Sequence, residues 1–495
     1  MYAGLDVGTT AVKFSVYSRE GELYGEASEG YVQSKMPNRL SADAVWEATQ
    51  NVIRAVTEKL PYGMRIQGVA ISAFGETVIP VDKNGSVLCE SFIGNAVEGE
   101  MELKQILKQV PEDEIWELTG LKPHRKYSVV KILWYRQHSS IYDQTYKFLL
   151  MEDFILYRLT GNFMLSDSSA SRSMAYDRKN GGWCNKMLEA AEIEMSKLSV
   201  IVPSGNYVGT VQHSICELLG LHGGIRVFAG GHDQMCNILG SGIIDSGTVL
   251  NCSGTVECVS CVVNARRAES LREGLNLQLS PYPMAEMKLV FWAPVAGCSS
   301  LDWAARFVSG MAFSGKDMHK LTELHMELQR RCSKEPGKLM STPYLTGRNY
   351  PDIAVSAQCT VTGINLYTEG WEFYQSIMEG IAFEIRVCLE KMQYFPAGFQ
   401  KRMIAVGGGS QSDYWLQMKA NITGNEVIRL GHTQSGTMGC MLLAAVGDGA
   451  YTDLSKAMKV CIKQKDIFYP EDYYRDRYHE KYHKYLEFRD RLLVE

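Results

Sequence analysis

The sequence has little of what marks membrane, secreted or nucleic-acid-binding chains. Its longest apolar runs, such as Met438 to Val446, carry glycine and cysteine and fall far short of the ~20 residues that cross a bilayer. The opening Met-Tyr-Ala-Gly-Leu-Asp has no basic stretch ahead of an apolar one, so no export signal is expected. Excess charge is missing as well: 51 Lys and Arg against 56 Asp and Glu leave a formal charge of −5. Groups such as Ala265-Arg266-Arg267 are short and read as solvated surface. A nucleic-acid partner needs a basic patch, and none is expected; nor is a membrane partner. The 13 cysteines follow no disulfide framework, which points to a reducing cytoplasm with most thiols as core fillers.

The common nucleotide and metal motifs are absent or misplaced. Both Gly-Lys pairs, Gly315-Lys316 and Gly337-Lys338, are followed by Asp317 and Leu339, where a Walker A loop needs Ser or Thr, and no GxGxxG opens a βαβ unit. His479-Glu480-Lys481-Tyr482-His483 spells HExxH, but it lies in a charged terminal helix whose Tyr473, Tyr474, Tyr478, Tyr482, Tyr485 and Phe488 read as packing onto the body. Cys258 and Cys261 fall in a strand, where residues i and i+3 point to opposite faces. His319 and His325, six apart on a helix, read as surface.

What is present is ordinary globular material: 495 residues, 45% hydrophobic and 22% charged, enough for about three units or two large ones. Ala3 to Val7, Ala11 to Tyr17 and Glu22 to Ala27 read as a meander of hairpins. A helix follows over Leu40 to Leu60, capped by Ser41, and then a strand over Arg65 to Ser72. The middle, Met101 to Leu221, reads as mostly helical, with periodic segments at Ser128 to Gln137 and Phe148 to Leu159. Ile225 to Ala229 is a short strand delivering Gly230-Gly231-His232-Asp233. Ser246 to Cys252 and Val256 to Val263 start a second meander around Gly254-Thr255, so two similarly built halves divide near residue 246. In the second half, Lys288 to Trp292 reads as strand, and Leu301 to Val308, Asp317 to Arg331 and Glu369 to Met392 as helices. Ile404 to Val406 is a strand ending in Gly407-Gly408-Gly409-Ser410, followed by helices at Asp413 to Ile422, Gly436 to Val446 and Tyr473 to Leu493.

Three of these turns suit chemistry. A glycine-threonine hairpin exposes backbone N–H groups as a nest for phosphate oxygens, and Asp6, at the end of the incoming strand, is placed to hold a magnesium-bound water. The plainer reading is a tight turn whose N–H groups the Asp accepts. Gly407 to Ser410 puts bare backbone and a helix N-terminus where a nucleotide can rest, or is simply a strand-to-helix turn. Asp233 is placed to accept a hydroxyl proton during in-line phosphoryl transfer, or else caps the next helix.

Taken together, the residues resemble the FGGY family of carbohydrate kinases over essentially the whole chain. Gly4-Leu5-Asp6-Val7-Gly8-Thr9-Thr10-Ala11-Val12-Lys13 is similar to the family's first phosphate loop, Gly230-Gly231-His232-Asp233-Gln234 to its catalytic-aspartate segment, and Ser253-Gly254-Thr255 to its second phosphate loop. Pro343 to Pro351 resembles a block of the carboxy-terminal domain. Gly407 to Ser412 with Trp415-Leu416-Gln417 resembles the adenosine segment, and Met438-Gly439-Cys440 with Leu443-Ala444-Ala445 the small-residue helix after it. The resemblance implies an α/β fold of two ribonuclease-H-like domains, as in actin and hexokinase, flanking a deep cleft. These are an N-terminal domain over 1–246 with the sugar site and first phosphate loop, and a nucleotide-binding C-terminal domain over 247–495 ending in a helical tail. It implies ATP and Mg2+, a sugar (ketose) or polyol substrate, and Asp233 as general base. By the same carry-over Asp6 and Asp233 serve the magnesium through water. Gly8, Thr9, Thr10, Lys13, Gly254, Thr255 and Gly297 serve the phosphates, and Gly408, Gly409 and Ser412 the adenosine. Phe74, Gly75, Glu76, Asn95, His232, Asp233 and Gln234 serve the substrate. Dimers are common among such proteins, and the aromatic face of the terminal helix is a candidate cover for its own lobe or a second subunit.

The chain departs from the pattern at the sugar. Ser72-Ala73-Phe74-Gly75-Glu76-Thr77 lacks the Gly-Gln-Met-His look of xylulokinases and the Trp-Gly-Val-Asp look of rhamnulokinases; its Phe-Gly is similar to fuculokinase. Glu76 is placed either to bind vicinal hydroxyls or to pair with a pocket cation. Ala96 and Glu98 stand where many relatives have Asp-x-Arg, and Gly347-Arg348-Asn349 replaces Gly-Glu-Arg. The expected function is ATP-dependent phosphorylation of a sugar or polyol hydroxyl. The alternatives are a kinase for an unusual sugar acid and a non-catalytic sugar- or nucleotide-responsive protein.

Overall fold

The computed structural model describes residues 1–492 apart from 32, 33, 35, 37, 95, 271–277, 285, 311–317, 350, 355 and 393–401. The chain divides into two compact units. One comprises Met1–Ile244, Leu277–Leu289 and Gln434–Ile462; the other comprises Asp245–Asn276, Val290–Thr433 and Lys463–Glu495.

In the first unit, β1 (Tyr2–Val7), β2 (Ala11–Tyr17) and β3 (Leu23–Gly30) form the expected meander. Its first turn is closed by Gly8 N–H donating to Ala11 O at 3.0 Å. Helix α1 (Ala42–Thr57) is capped by Ser41, whose side chain accepts from Ala44 N–H, and it buries Val45, Trp46, Val52, Ile53 and Val56. Strand β4 (Gly68–Ala73) is buried at every residue, as a strand covered on both faces must be. Helix α2 (Met151–Thr160), β5 (Tyr207–Thr210), β6 (Arg226–His232) and α3 (Asp233–Gly240) complete this part. The sheet order is β5-β6-β4-β1-β2-β3; β1, β4 and β6 are parallel, and β5 is an antiparallel edge.

The second unit repeats the plan. Strands β7 (Thr248–Ser253), β8 (Val256–Asn264) and β9 (Met287–Ala296) are followed by the long helix α4 (Gly370–Met392), β10 (Arg402–Val406), α5 (Asp413–Thr423) and β11 (Glu426–Leu430). The chain then returns to the first unit as α6 (Ser435–Gly447) and ends in the second with β12 (Gln464–Phe468) and α7 (Asp472–Arg491). Six of the seven strands of this sheet, in the order β9-β8-β7-β10-β11-β12 with β7, β10 and β11 parallel and β12 an antiparallel edge, repeat the first sheet; the seventh, Leu279–Pro281, lies beyond β9. Both units have the ribonuclease-H-like α/β topology expected.

Some elements differ from the sequence reading. Strands β5, β11 and β12 were not foreseen, because Glu426-Val-Ile-Arg-Leu430 and Gln464-Lys-Asp-Ile-Phe468 are short and half polar; neighbouring strands supply their pairing. Phe148 to Leu159 splits into a strand, Lys147–Leu149, and helix α2. Strand β6 runs on through both glycines to His232. The aromatic stripe of α7 is buried against its own unit at Tyr478, Tyr482 and Tyr485, while Tyr473 is exposed. Tyr485 OH and Arg489 Nε both reach Glu384 Oε1, at 2.6 and 3.0 Å. His325 is not a surface residue: its ring joins Asp302 Oδ1 at 2.9 Å and Tyr374 OH at 2.8 Å. No helix among the described residues is long and apolar enough to cross a membrane.

Candidate active site

Strand register assembles the first cluster. Asp6 on β1 lies opposite Lys13 on β2 and beside Ser72 on β4; Ser72 in turn is level with Gly231 on β6, and Ala73 with His232. Directly opposite residues on neighbouring strands share a face. Residues 66 and more apart in sequence thereby meet at the ends of three parallel strands. Ser72 Oγ donates to Asp6 Oδ1 at 2.8 Å. Burial raises the Asp6 carboxyl above its usual value, against the pull of Lys13 and the Ser72 bond. On its other side Asp6 is approached by α6: a Cβ on Gly436 would stand 2.9 Å from the Asp6 carboxylate, so only a bare backbone fits.

Strand β6 carries a bulge between Ala229 and Gly231. The extra residue, Gly230, admits no side chain, since a Cβ there would fall 2.0 Å from Ile71 O. Its N–H donates to the buried Glu152 Oε1 on α2 at 3.0 Å. Such bulges re-aim the residues that follow them. Asp233 follows as the first residue of α3. Its Oδ1 is buried without a hydrogen-bond partner among the described residues and lies 3.2 Å from His232 Nε2. Burial first, then the charges of Asp6 and Glu76, push the Asp233 carboxyl up to about 7. His232 is driven the other way, to about 3, by burial and then by Arg172, so it is neutral at physiological pH.

The residues that the sequence reading places at the sugar lie in the same unit. Glu76 Oε1 accepts from Arg172 Nη2 at 2.5 Å and Nε at 3.1 Å, with Lys126 Nζ at 3.8 Å. Burial would raise the Glu76 carboxyl, but Arg172 and then Lys126 hold it well below the usual carboxylate range. Glu76 is thus paired with cations, one of the two roles open to it in the sequence. Arg172 also donates to Gln278 Oε1 at 3.1 Å. A Cβ on Gly75 would meet Arg172 Cβ at 2.9 Å and His232 Cδ2 at 3.2 Å, so Gly75 closes this group tightly. Gln234 Oε1 is buried and lacks a hydrogen-bond partner among the described residues. The Phe74 ring belongs to the apolar core. Asn95 lies outside the described residues. Ala96 is fully buried, and Glu98 pairs with Arg39 at 3.0 Å.

In the second unit the turns gather around Ser253–Thr255. Gly254 O and Thr255 O accept from Cys298 and Gly297 N–H at 2.8 and 2.9 Å, and a Cβ on Gly409 would meet Ser253 Cβ at 2.7 Å. Gly408 faces open space. The Ser412 hydroxyl is engaged, accepting from Trp415 N–H and donating to Gln329 Oε1 at 2.6 Å. Beneath the turn, the buried Lys419 Nζ reaches Glu257 Oε1, Asn251 Oδ1 and Ser253 Oγ at 2.8, 2.6 and 2.5 Å. In the first unit Thr9 and Thr10 are exposed at the β1–β2 turn, with Lys13 across from Asp6.

Arg172, Lys126, Lys131, Gln278, Glu152 and Lys419 were missed in the sequence. Each stands in a helix or loop with no motif of its own. The one available signal was the presence of charged residues inside apolar helical patterns, as at Lys131 and Lys419.

Comparison with known proteins places the fold in a family. The family model described as "FGGY family of carbohydrate kinases, N-terminal domain" matches residues 1–240, and its C-terminal counterpart matches residues 251–447. The chain is 25% identical to a xylulose kinase of Bacillus subtilis over 477 residues, covering 94% of this chain and 92% of that protein. It is 24% identical to an L-fuculokinase of Escherichia coli over 476 residues, covering 94% and 96%. Among solved structures, a xylulose kinase from Lactobacillus acidophilus superposes with a TM-score of 0.85 at 20% identity, over 99% of this chain and 98% of that one. A glycerol kinase from Plasmodium falciparum gives 0.83 at 17% identity, over 98% of each. With both domain models matched in order, the chain belongs to the FGGY family of carbohydrate kinases, phosphotransferases that use ATP to phosphorylate a sugar hydroxyl.

Proposed function

We propose that the substrate is a ketose or related polyol and that Asp233 is the general base. The observation that carries this reading is the Asp233 carboxylate: buried at a strand end, without a hydrogen-bond partner on Oδ1, and lifted to about 7. A base works best when its pKa lies near the operating pH. Asp233 takes the proton of the sugar hydroxyl as that oxygen bonds to the γ-phosphorus. The bond from phosphorus to the β–γ bridging oxygen breaks, and its electron pair leaves with ADP.

The Gly8–Thr10 and Gly254–Thr255 turns serve the phosphates, and Gly408 and Gly409 the adenosine; exposed threonine hydroxyls and open backbone support this. Two oxygen-donor carboxylates whose charges oppose each other, one pressed against bare Gly436, fit a hard divalent cation. Asp6 and Asp233 would hold Mg2+, largely through its waters, and it would offset phosphate charge. Glu76, Arg172, Gln278 and Gln234 offer acceptors and donors for sugar hydroxyls. The relatives' names, xylulose kinase and L-fuculokinase, support a ketose, and 13 cysteines that follow no disulfide framework support a reducing, cytoplasmic setting.

The test is a coupled ADP-release assay with ATP and magnesium against ketoses, aldoses, alditols and sugar acids of both enantiomeric series, with a no-sugar control. One ketose or polyol should respond strongly. Asp233→Ala should abolish that response while ATP binding persists, and undiminished transfer by this variant would sink the assignment.

A further inference from the structure

We infer that Lys131 is a positioning residue for the sugar: its ammonium pins the backbone of Glu76 to the Ile93 loop and thereby sets the carboxylate that meets the substrate. This rests on the kinase reading above. Lys131 lies on a helix, Ser128–His138, with its side chain fully buried. Its Nζ donates to Glu76 O at 2.6 Å and to Ile93 O at 2.8 Å. Those two carbonyls belong to the two loops, around Phe74–Thr77 and Ser91–Glu98, that the sequence reading places at the sugar.

The strain in the loop says what the bond is for. Glu76 has φ of 64°, a left-handed conformation that L-residues with a side chain avoid. Such a residue persists only where its surroundings over-determine it, and such positions cluster at functional sites. Two cations do this here: Lys131 holds the peptide oxygen and Arg172 the carboxylate. An ammonium is costly to bury, and an apolar side chain of the same length would fill the space without that cost. The lysine is thus explained by the two carbonyls it holds.

The charged groups facing Lys131 are Glu76 and Glu98, which favour its charge, and Lys126 and Arg39, which oppose it; Arg172 lies beyond Glu76. Burial dominates and brings the ammonium down to about 7. Above that pH the amine keeps two N–H donors but loses the charge beside Glu76, so sugar affinity should weaken as pH rises.

The experiment is calorimetric titration of the responding sugar into nucleotide-free protein, for the wild type, Lys131→Met and Lys131→Gln, at about pH 6.5 and 8.5, with a melting curve for each. The wild-type Kd should weaken about 3-fold or more between these pH values. Lys131→Met should bind about 10-fold more weakly at the lower pH, with KM for ATP nearly unchanged. Lys131→Gln, which keeps N–H donors without charge, should fall between, and its pH dependence should lack the weakening that Lys131 adds to the titration of Asp233. If the Met variant does not fold, the Gln variant and the wild-type profile decide. A folded Lys131→Met that binds the sugar as the wild type does, or a Gln variant whose pH dependence equals the wild type's, would overturn the inference alone. A wild type that neither binds nor phosphorylates any sugar would remove the kinase reading and this inference with it.

Discussion

At the scale of single residues, the site spends stability on reactivity. Asp233 has its carboxyl raised to about 7 by burial and by the charges of Asp6 and Glu76. Between the ordinary aspartate value and about 7, the folded chain keeps a proton that the unfolded chain has released. The group's contribution to stability therefore falls as pH rises through that window. Asp233→Asn removes the strained charge, so at pH 8 it should melt about 2 °C or more above the wild type while kcat falls by ~10³. The wild-type kcat should climb with pH and level off above about 7; a flat kcat profile from pH 5.5 to 8.5 would contradict Asp233 as base. Asp233 and the glycines before it were visible in the sequence because they are contiguous. Arg172 and Lys131 were not, because they reach Glu76 only through folding.

At the scale of elements, two buried charged groups brace the turns that carry the site. Glu152 on α2 accepts from Gly230 N–H at the β6 bulge and from Ser166 Oγ at 2.5 Å. Glu152→Ala would leave buried donors unpaired, at about 1–3 kcal/mol each, and would free the strand end that aims Asp233. The expected result is a lower melting temperature with kcat reduced more than the sugar KM. An unchanged kcat in a folded variant would show that the bulge needs no such brace. In the second unit, Asn251 occupies the sheet position that Asp6 holds in the first, one residue before the strand's last parallel pair. There the space is filled by the Lys419–Glu257 pair, both side chains almost wholly buried. Removing one partner of such a pair costs ~3–5 kcal/mol. Lys419→Met should therefore destabilise the chain and raise KM for ATP while sparing the sugar KM, as steady-state kinetics in each substrate would show.

At the scale of the whole molecule, each unit is built from separate stretches of chain. Helix α6 belongs to the first unit although it lies almost two hundred residues beyond α3. It packs without side-chain clearance: a Cβ on Gly439 would stand 2.1 Å from Cys236 O on α3, and one on Gly4 would stand 2.0 Å from Thr437 O on α6. A fragment ending at residue 246 lacks this helix and leaves the apolar faces of β1, β4 and α3 uncovered. It should be aggregated or molten by near-UV circular dichroism and gel filtration. A monomeric fragment with a cooperative melt would show that α6 is dispensable.

The sequence by itself determined the meanders, most helices and the glycine-rich turns between them, because hydrophobic periodicity and glycine-rich turns are local signals. It also determined the family, since six motif blocks keep their order. Only the tertiary structure decided which charges face those turns. Glu76 meets Arg172 rather than solvent, Glu98 meets Arg39, and Lys131 reaches two carbonyls from a helix that reads as plain core. The weak strands β5, β11 and β12 were likewise decided by their neighbours. The physical reason is the same in each case: pairing, burial and charge at these positions depend on residues tens to hundreds of positions away, and no local pattern encodes them.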